Sequence, residues 1–174
     1  MPYELKNLVA DCRQALQNGA TKTALGEVCA AMRKILQNPD FVEQHFGPAR
    51  EIGRSTLYHD PALDFHIYAH IPDGAILSPP HDHASAWAAY GQAIDHTQMT
   101  DWAIPGGETL PKPLKTYRMA PGSAGYYDVG ELHSIDMPAS SRFLRITATD
   151  IDVLPCRYFH EVDTRKSIAK YLGG

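Results

Sequence analysis

The sequence predicts a mainly β fold, a sandwich or barrel, entered through a short helical segment. Three observations predict it. Up to residue 46, apolar residues recur at helical spacing. Beyond Gly47 the pattern changes to short alternating or apolar runs separated by Pro and Gly. The chain has 174 residues, 44% of them hydrophobic, enough for one domain with its own core.

In order along the chain, Leu5, Leu8, Val9, Cys12, Ala15 and Leu16 form one apolar stripe within residues 3–18. Asn18-Gly19 ends that helix. Thr21 or Thr23 can cap a second helix, whose stripe is Leu25, Val28, Cys29, Met32, Ile35 and Leu36. Asn38-Pro39 ends it, and a short helical piece over residues 40–46 precedes Gly47-Pro48. Both long stripes read as faces that pack on the body of the protein.

Strands are expected over residues 55–58, 63–71, 86–95, 98–104, 114–119, 124–129 and 142–148. Between them lie turn residues such as Pro72-Asp73-Gly74, Pro105-Gly106-Gly107, Pro111-Lys112-Pro113 and Pro121-Gly122. Short strands at this spacing point to a sandwich or barrel. A short helix is expected over residues 164–172.

Charge and composition narrow the function. A net charge of −4 and a pI near 6.1 argue against a basic surface for nucleic acid. No apolar run approaches the roughly 20 residues that span a bilayer. The first residues, MPYELKNLVADCRQ, carry charges inside the apolar segment, unlike a signal peptide. Cys12, Cys29 and Cys156 are odd in number and widely spaced, so they form no disulfide framework, and a cytoplasmic location is expected. No nucleic-acid or membrane partner is expected, and a homodimer is left open.

The chemistry lies in SPPHDHASAW, residues 78–87. On a strand, residues i and i+2 face the same side, so His81 and His83 would present two imidazoles together and Asp82 would point away. Two such donors can share one divalent ion, with bonds of about 2.0–2.1 Å for zinc. A third ligand must come from elsewhere, and His133 in Gly130-Glu131-Leu132-His133 is the best candidate, after a Pro-Gly turn and Tyr126-Tyr127. Asp82 and Glu131 read as turn residues or as carboxylates that orient a ligating imidazole. Trp87 reads as core, on the His83 face by parity if no bulge intervenes. Tyr90, Tyr126 and Tyr127 read as core or rim, and His96 as a surface histidine. His45, His59, His66, His70 and His160 give no pairing signal.

Gly74 followed by His81-Asp82-His83, and Pro121-Gly122 followed by Gly130-Glu131-Leu132-His133, resemble the two motifs of the cupin superfamily. SPPHDHASAW with GELHSI most resembles the cysteine dioxygenase branch, the thiol dioxygenases, whose barrels are also preceded by helices. The resemblance covers roughly residues 1–150. It implies a cupin double-stranded β-helix barrel, with helices over residues 1–46 packed on a barrel and tail over residues 47–174, one structural domain overall. It implies a mononuclear Fe(II) held by His81, His83 and His133; nickel, zinc and manganese remain open. The activity implied is oxidation of a small thiol or similar chelating anion by O2.

Many cupins add a glutamate soon after the paired histidines. Here Ala84-Ser85-Ala86-Trp87-Ala88 holds no carboxylate, as in the three-histidine thiol dioxygenases. In that family an arginine before the first barrel strands binds the substrate carboxylate. Arg54 is the nearest match, or Ser55 after a one-residue shift. Arg145, which shares a strand face with Thr147 and Thr149, is the second candidate, since a guanidinium suits bidentate anion binding. The Ser-His-Tyr set of some members is absent, and no cysteine stands near residues 86–88 to form their cross-link. Two other readings stay open. One is a three-histidine cupin with carbon–carbon-cleaving or Lewis-acid chemistry. The other is a non-catalytic metal or ligand sensor that meets a partner through its helical segment.

Overall fold

Asn38 and Thr21 act as the helix starts their side chains favour. In the computed structural model, which describes residues 2–173, the Thr21 hydroxyl accepts the Ala24 N–H at 3.2 Å and begins α2, Lys22–Ile35. Asn38 Oδ1 accepts the N–H groups of Asp40 and Phe41, and Pro39 takes the first position of α3, Pro39–Phe46. The first helix, α1, runs Leu5–Leu16.

Among the described residues nine strands follow. They are β1 (Gly53–Asp60), β2 (Phe65–Ile71), β3 (Ile76–Leu77), β4 (Ala88–Ile94), β5 (Thr97–Ala103), β6 (Lys112–Met119), β7 (Ala124–Tyr127), β8 (Leu132–Met137) and β9 (Arg142–Ala148). A 3-10 turn, Ile151–Val153, and a last helix, α4 (Thr164–Gly173), complete the chain. All pairings are antiparallel, in a five-stranded sheet ordered β1-β2-β9-β4-β7 and a four-stranded sheet ordered β3-β8-β5-β6. The late strand β9 lies between β2 and β4, and β8 lies between β3 and β5. This interleaving makes the double-stranded β-helix barrel of the cupins.

The outer face of the five-stranded sheet meets the helices. Phe65, Ile67, Ala69, Ala89, Leu144 and Ile146 form one core with Leu8, Cys12, Leu25, Val28, Met32 and Ile35. Both helical stripes are thus consumed inside the molecule, which weighs against a partner docking through them. Gly91 permits the close approach of α2. A Cβ there would lie 2.7 Å from Leu36 Cδ1 and 3.1 Å from Met32 Cε. The outer face of the other sheet is covered by the C-terminal segment, where Trp102 and Leu132 bury with Phe159, Val162 and Ile168. Among the described residues no helix is long and apolar enough to cross a membrane.

Three strand expectations need correction. Strand β8 was not expected, yet it carries His133. Strand β2 begins at Phe65 rather than residue 63, because Asp64 takes a left-handed turn conformation, φ 48°. His81 and His83 do not lie within a regular strand. His81 makes isolated bridges to His133 and Tyr158, and Asp82 accepts the Ala84 N–H in a local turn. Ala84 itself is left-handed, φ 53°. That turn breaks the parity count, so Trp87 buries among the helix-side residues rather than beside His83.

Candidate metal centre

The three histidines converge through backbone pairing. The His81 N–H donates to the His133 carbonyl at 2.9 Å and the His133 N–H returns the bond at 3.0 Å. Gly130, at φ 75°, makes the tight turn into β8 that a residue with a side chain would resist, and His133 follows on the inner face. One nitrogen from each of His81, His83 and His133 lies within 4.8 Å of the others. All three residues are buried, His133 completely.

Their environment keeps the imidazoles neutral. Burial lowers all three pKa values, and the neighbouring imidazoles add to the effect at His83 and His133. For His83 the value falls to about 3. His81 Nδ1 sits 3.0 Å from the Pro79 carbonyl, so it carries the proton and donates there, leaving the Nε2 lone pair free. Among the described residues neither ring nitrogen of His133 has a hydrogen-bond partner. Neutral imidazoles, with both ring nitrogens of the wholly buried His133 unpartnered, fit a first-row divalent ion.

Among the described residues no carboxylate joins the group. Asp82 turns away to Arg157 at 2.9 Å and to the Ala84 N–H. Glu131 accepts the Asp128 N–H in its own turn. His96 pairs with Asp95 away from the centre.

Around the histidines stand groups that the sequence reading assigned to the core or rim, Tyr90 and Tyr127, or did not single out for the site, Cys156 and Tyr158. The Tyr90 hydroxyl is 2.7 Å from His83 Nε2, and burial pushes its pKa up to about 12. The Tyr127 ring lies parallel to His133, centroids 3.9 Å apart, and its hydroxyl donates to Asp101 at 2.8 Å. Tyr127 also lines an open cavity of about 590 Å³ with Tyr117, Tyr126 and Arg157. Residues 149–159 form a strap beside the histidines. Asp82 and Pro80 bond to the backbone of Arg157 and Phe159, and Tyr158 stacks on His81. Cys156 Sγ reaches 3.9 Å from His83 Nδ1. The sequence does not disclose that Tyr90 pairs with Gly125 and Arg145, and the contacts of Cys156 and Tyr158 left no local signal.

The two arginines occupy different environments. Arg145, on the central strand β9, stands opposite both Tyr68 and Tyr90 and is 8% exposed. Its Nη2 is 3.4 Å from Asp152, and its Nε is buried without a partner. Arg54, on the edge strand β1, is bound by Asp150 at 2.7 Å and by Asp152, and its guanidinium lies 4.5 Å from the Tyr68 ring centre. Ser55, its alternative in the sequence, is exposed on the same strand.

No protein-family model and no curated protein matches the chain. Solved structures with a similar shape include an uncharacterised double-stranded β-helix protein from Klebsiella pneumoniae, at 12% identity and TM-score 0.45, over 67% of this chain and 87% of that one. The cupin domain of Schizosaccharomyces pombe Cnp3 is similar at 15% identity and TM-score 0.45, over 59% and 71%. Hydroquinone 1,2-dioxygenase PnpCD, solved with Cd2+ and 4-hydroxybenzonitrile, is similar at 9% identity and TM-score 0.47, over 63% and 71%. The assignment of the barrel rests on its own strand order rather than on these likenesses.

Proposed function

We propose that the chain is a mononuclear non-haem Fe(II)-dependent dioxygenase of the cysteine dioxygenase-like cupin class, oxidising a small thiol or similar chelating anion with O2. The observation that carries this reading is the set of three buried, neutral imidazoles without a carboxylate, with a buried arginine on the strand beside them. His81, His83 and His133 would hold the iron. Bound Fe(II) would supply open positions for a chelating anion and O2, and both oxygen atoms would enter the substrate.

The protein's own residues account for the rest. A neutral ligand set leaves the ion its full charge for an anionic substrate. The unpartnered Nε of Arg145 favours a substrate carboxylate at its fork. Tyr90 keeps its proton at neutral pH and stands ready to donate to a bound anion. Tyr158 and the strap shield the histidines from water. Asp152 already pairs with Arg145 and Arg54, so a substrate carboxylate must compete with it. Arg54, already held by two aspartates, is the weaker of the two anchors. The three unpaired cysteines support a reducing, cytoplasmic setting.

The test is O2 uptake by iron-loaded protein given cysteine, mercaptopropionate or cysteamine. Uptake with a thiol, with oxygen recovered in its sulfinate, is expected. No uptake with any thiol overturns the substrate assignment while leaving the metal site standing. Turnover retained with zinc under nitrogen would replace it with Lewis-acid chemistry.

A further inference from the structure

A second group of metal-ligating side chains lies away from the three-histidine centre, on the β1–β2 hairpin. His59 and His66 stand directly opposite in the antiparallel register. Their rings stack 4.0 Å apart and within 14° of parallel. Asp64, in the turn joining the strands, aims one oxygen at both. Its Oδ1 is 3.6 Å from His59 Nε2 and 3.8 Å from His66 Nε2. His59 and Asp64 are open to solvent and His66 is partly covered.

These separations are too long for hydrogen bonds. They do approach the edge of a coordination shell. With bonds of about 2.0–2.2 Å and tetrahedral angles, neighbouring donor atoms sit roughly 3.3–3.6 Å apart. Small side-chain rotations close the remaining gap.

The backbone holds the three in place without a ligand. Asp60 Oδ1 accepts the N–H groups of Ala62 and Leu63 and fixes the turn. Asp64 is left-handed, φ 48°, and its carbonyl accepts the Thr149 N–H at 2.7 Å. The pairing of β2 with β9 fixes the height of His66. Burial, then the neighbouring His59, lowers the pKa of His66 and so favours the neutral, ligating form. Two imidazoles and one carboxylate suit zinc, nickel or copper and are poor donors for magnesium or calcium.

We propose that His59, His66 and Asp64 form a second, solvent-facing site for a divalent transition-metal ion, with water completing the shell. This site is independent of the three-histidine centre and of any reaction there. The full chain, dialysed against zinc chloride, would be assayed for bound zinc by elemental analysis. His59→Gln and His66→Gln are each expected to hold one ion fewer per chain than the unaltered protein, whatever the occupancy of the buried centre. His133→Ala is expected to keep this ion. Cobalt substitution gives a second readout, since the visible absorption of the surface site should vanish in His59→Gln. Equal zinc counts in the unaltered protein and both glutamine variants would overturn the proposal. Thermal melts of the metal-free variants confirm that a lost ion reflects a lost ligand rather than a lost fold, because His59 is exposed and contributes nothing to the core.

Discussion

The two faces of the five-stranded sheet divide the work of the molecule. Outward, Phe65, Ile67, Ala69, Leu144 and Ile146 are buried against the helices and are entirely apolar. Inward, the same strands present Tyr68, His70, Phe143, Arg145, Thr147 and Tyr90. Among the described residues, every buried side-chain nitrogen or oxygen lacking a hydrogen-bond partner belongs to His70, His133 or Arg145, all directed to the barrel interior. Such groups are expensive to bury unpaired. The outer face stabilises the fold by burial alone, roughly in proportion to area. The inner face spends part of that stability to hold polar groups ready for a ligand.

If that division holds, removing an inner ligand should destroy function and spare the fold. His133→Ala is expected to abolish metal binding at the three-histidine centre and with it all O2 uptake, while the metal-free protein melts within about 4 °C of the unaltered one, roughly 1 kcal/mol. A collapse of the metal-free fold would break the comparison. The outer face should behave oppositely. Leu144→Ala is expected to cost about 2–5 kcal/mol, read from urea unfolding, because it leaves a cavity in a fully buried core. Its iron content per folded molecule should be unchanged.

The outer face was legible in the sequence and much of the inner one was not. Helical stripes and the Thr21 and Asn38 signals are local, and each stripe follows from spacing alone. The paired histidines were legible because few other residue patterns gather nitrogen donors so densely. Strand β8 escaped because both of its faces are covered, one by the barrel interior and one by the Trp102 and Phe159 cluster. Its residues therefore show no apolar–polar alternation. Tyr90 was overshadowed by Trp87, since the turn at Ala84 reverses the face count that started from His83. The contrast between Arg54 and Arg145 depends on which strand is central. The sequence does not show that β9 inserts between β2 and β4 while β1 is left at the edge.

That placement gives the third prediction. A central-strand arginine with a free Nε should matter to ligands that carry a carboxylate and to no others. Arg145→Met is expected to raise KM for mercaptopropionate roughly 10–150-fold, the equivalent of about 1.5–3 kcal/mol for a charged hydrogen bond. KM for cysteamine, which lacks the carboxylate, should move little. An equal rise for both would mean that Arg145 supports the fold of the site rather than recognising substrate.

The smallest effect tests where the two regions are tied together. Asp60, at the end of β1, is buried and bound by Arg13 from α1, and so links barrel to helix. Burial alone would raise its pKa, but the Arg13 guanidinium and the N–H groups of Leu63 and Ala62 outweigh it, and the value falls below the ordinary carboxylate range. A carboxyl group with a lower pKa in the folded protein binds fewer protons there than in the unfolded chain. Its contribution to stability is therefore complete above the unfolded value of about 3.9 and is lost as pH falls toward the folded value. Asp60→Asn keeps an oxygen for the turn N–H groups and removes the charge. Urea midpoints of the two proteins should differ by a constant amount from pH 7 to about pH 5, and the gap should narrow steadily below about pH 4. A gap that stays constant into acid would mean that the Arg13–Asp60 pair leaves stability unchanged and that the helices are held to the barrel by their apolar face alone.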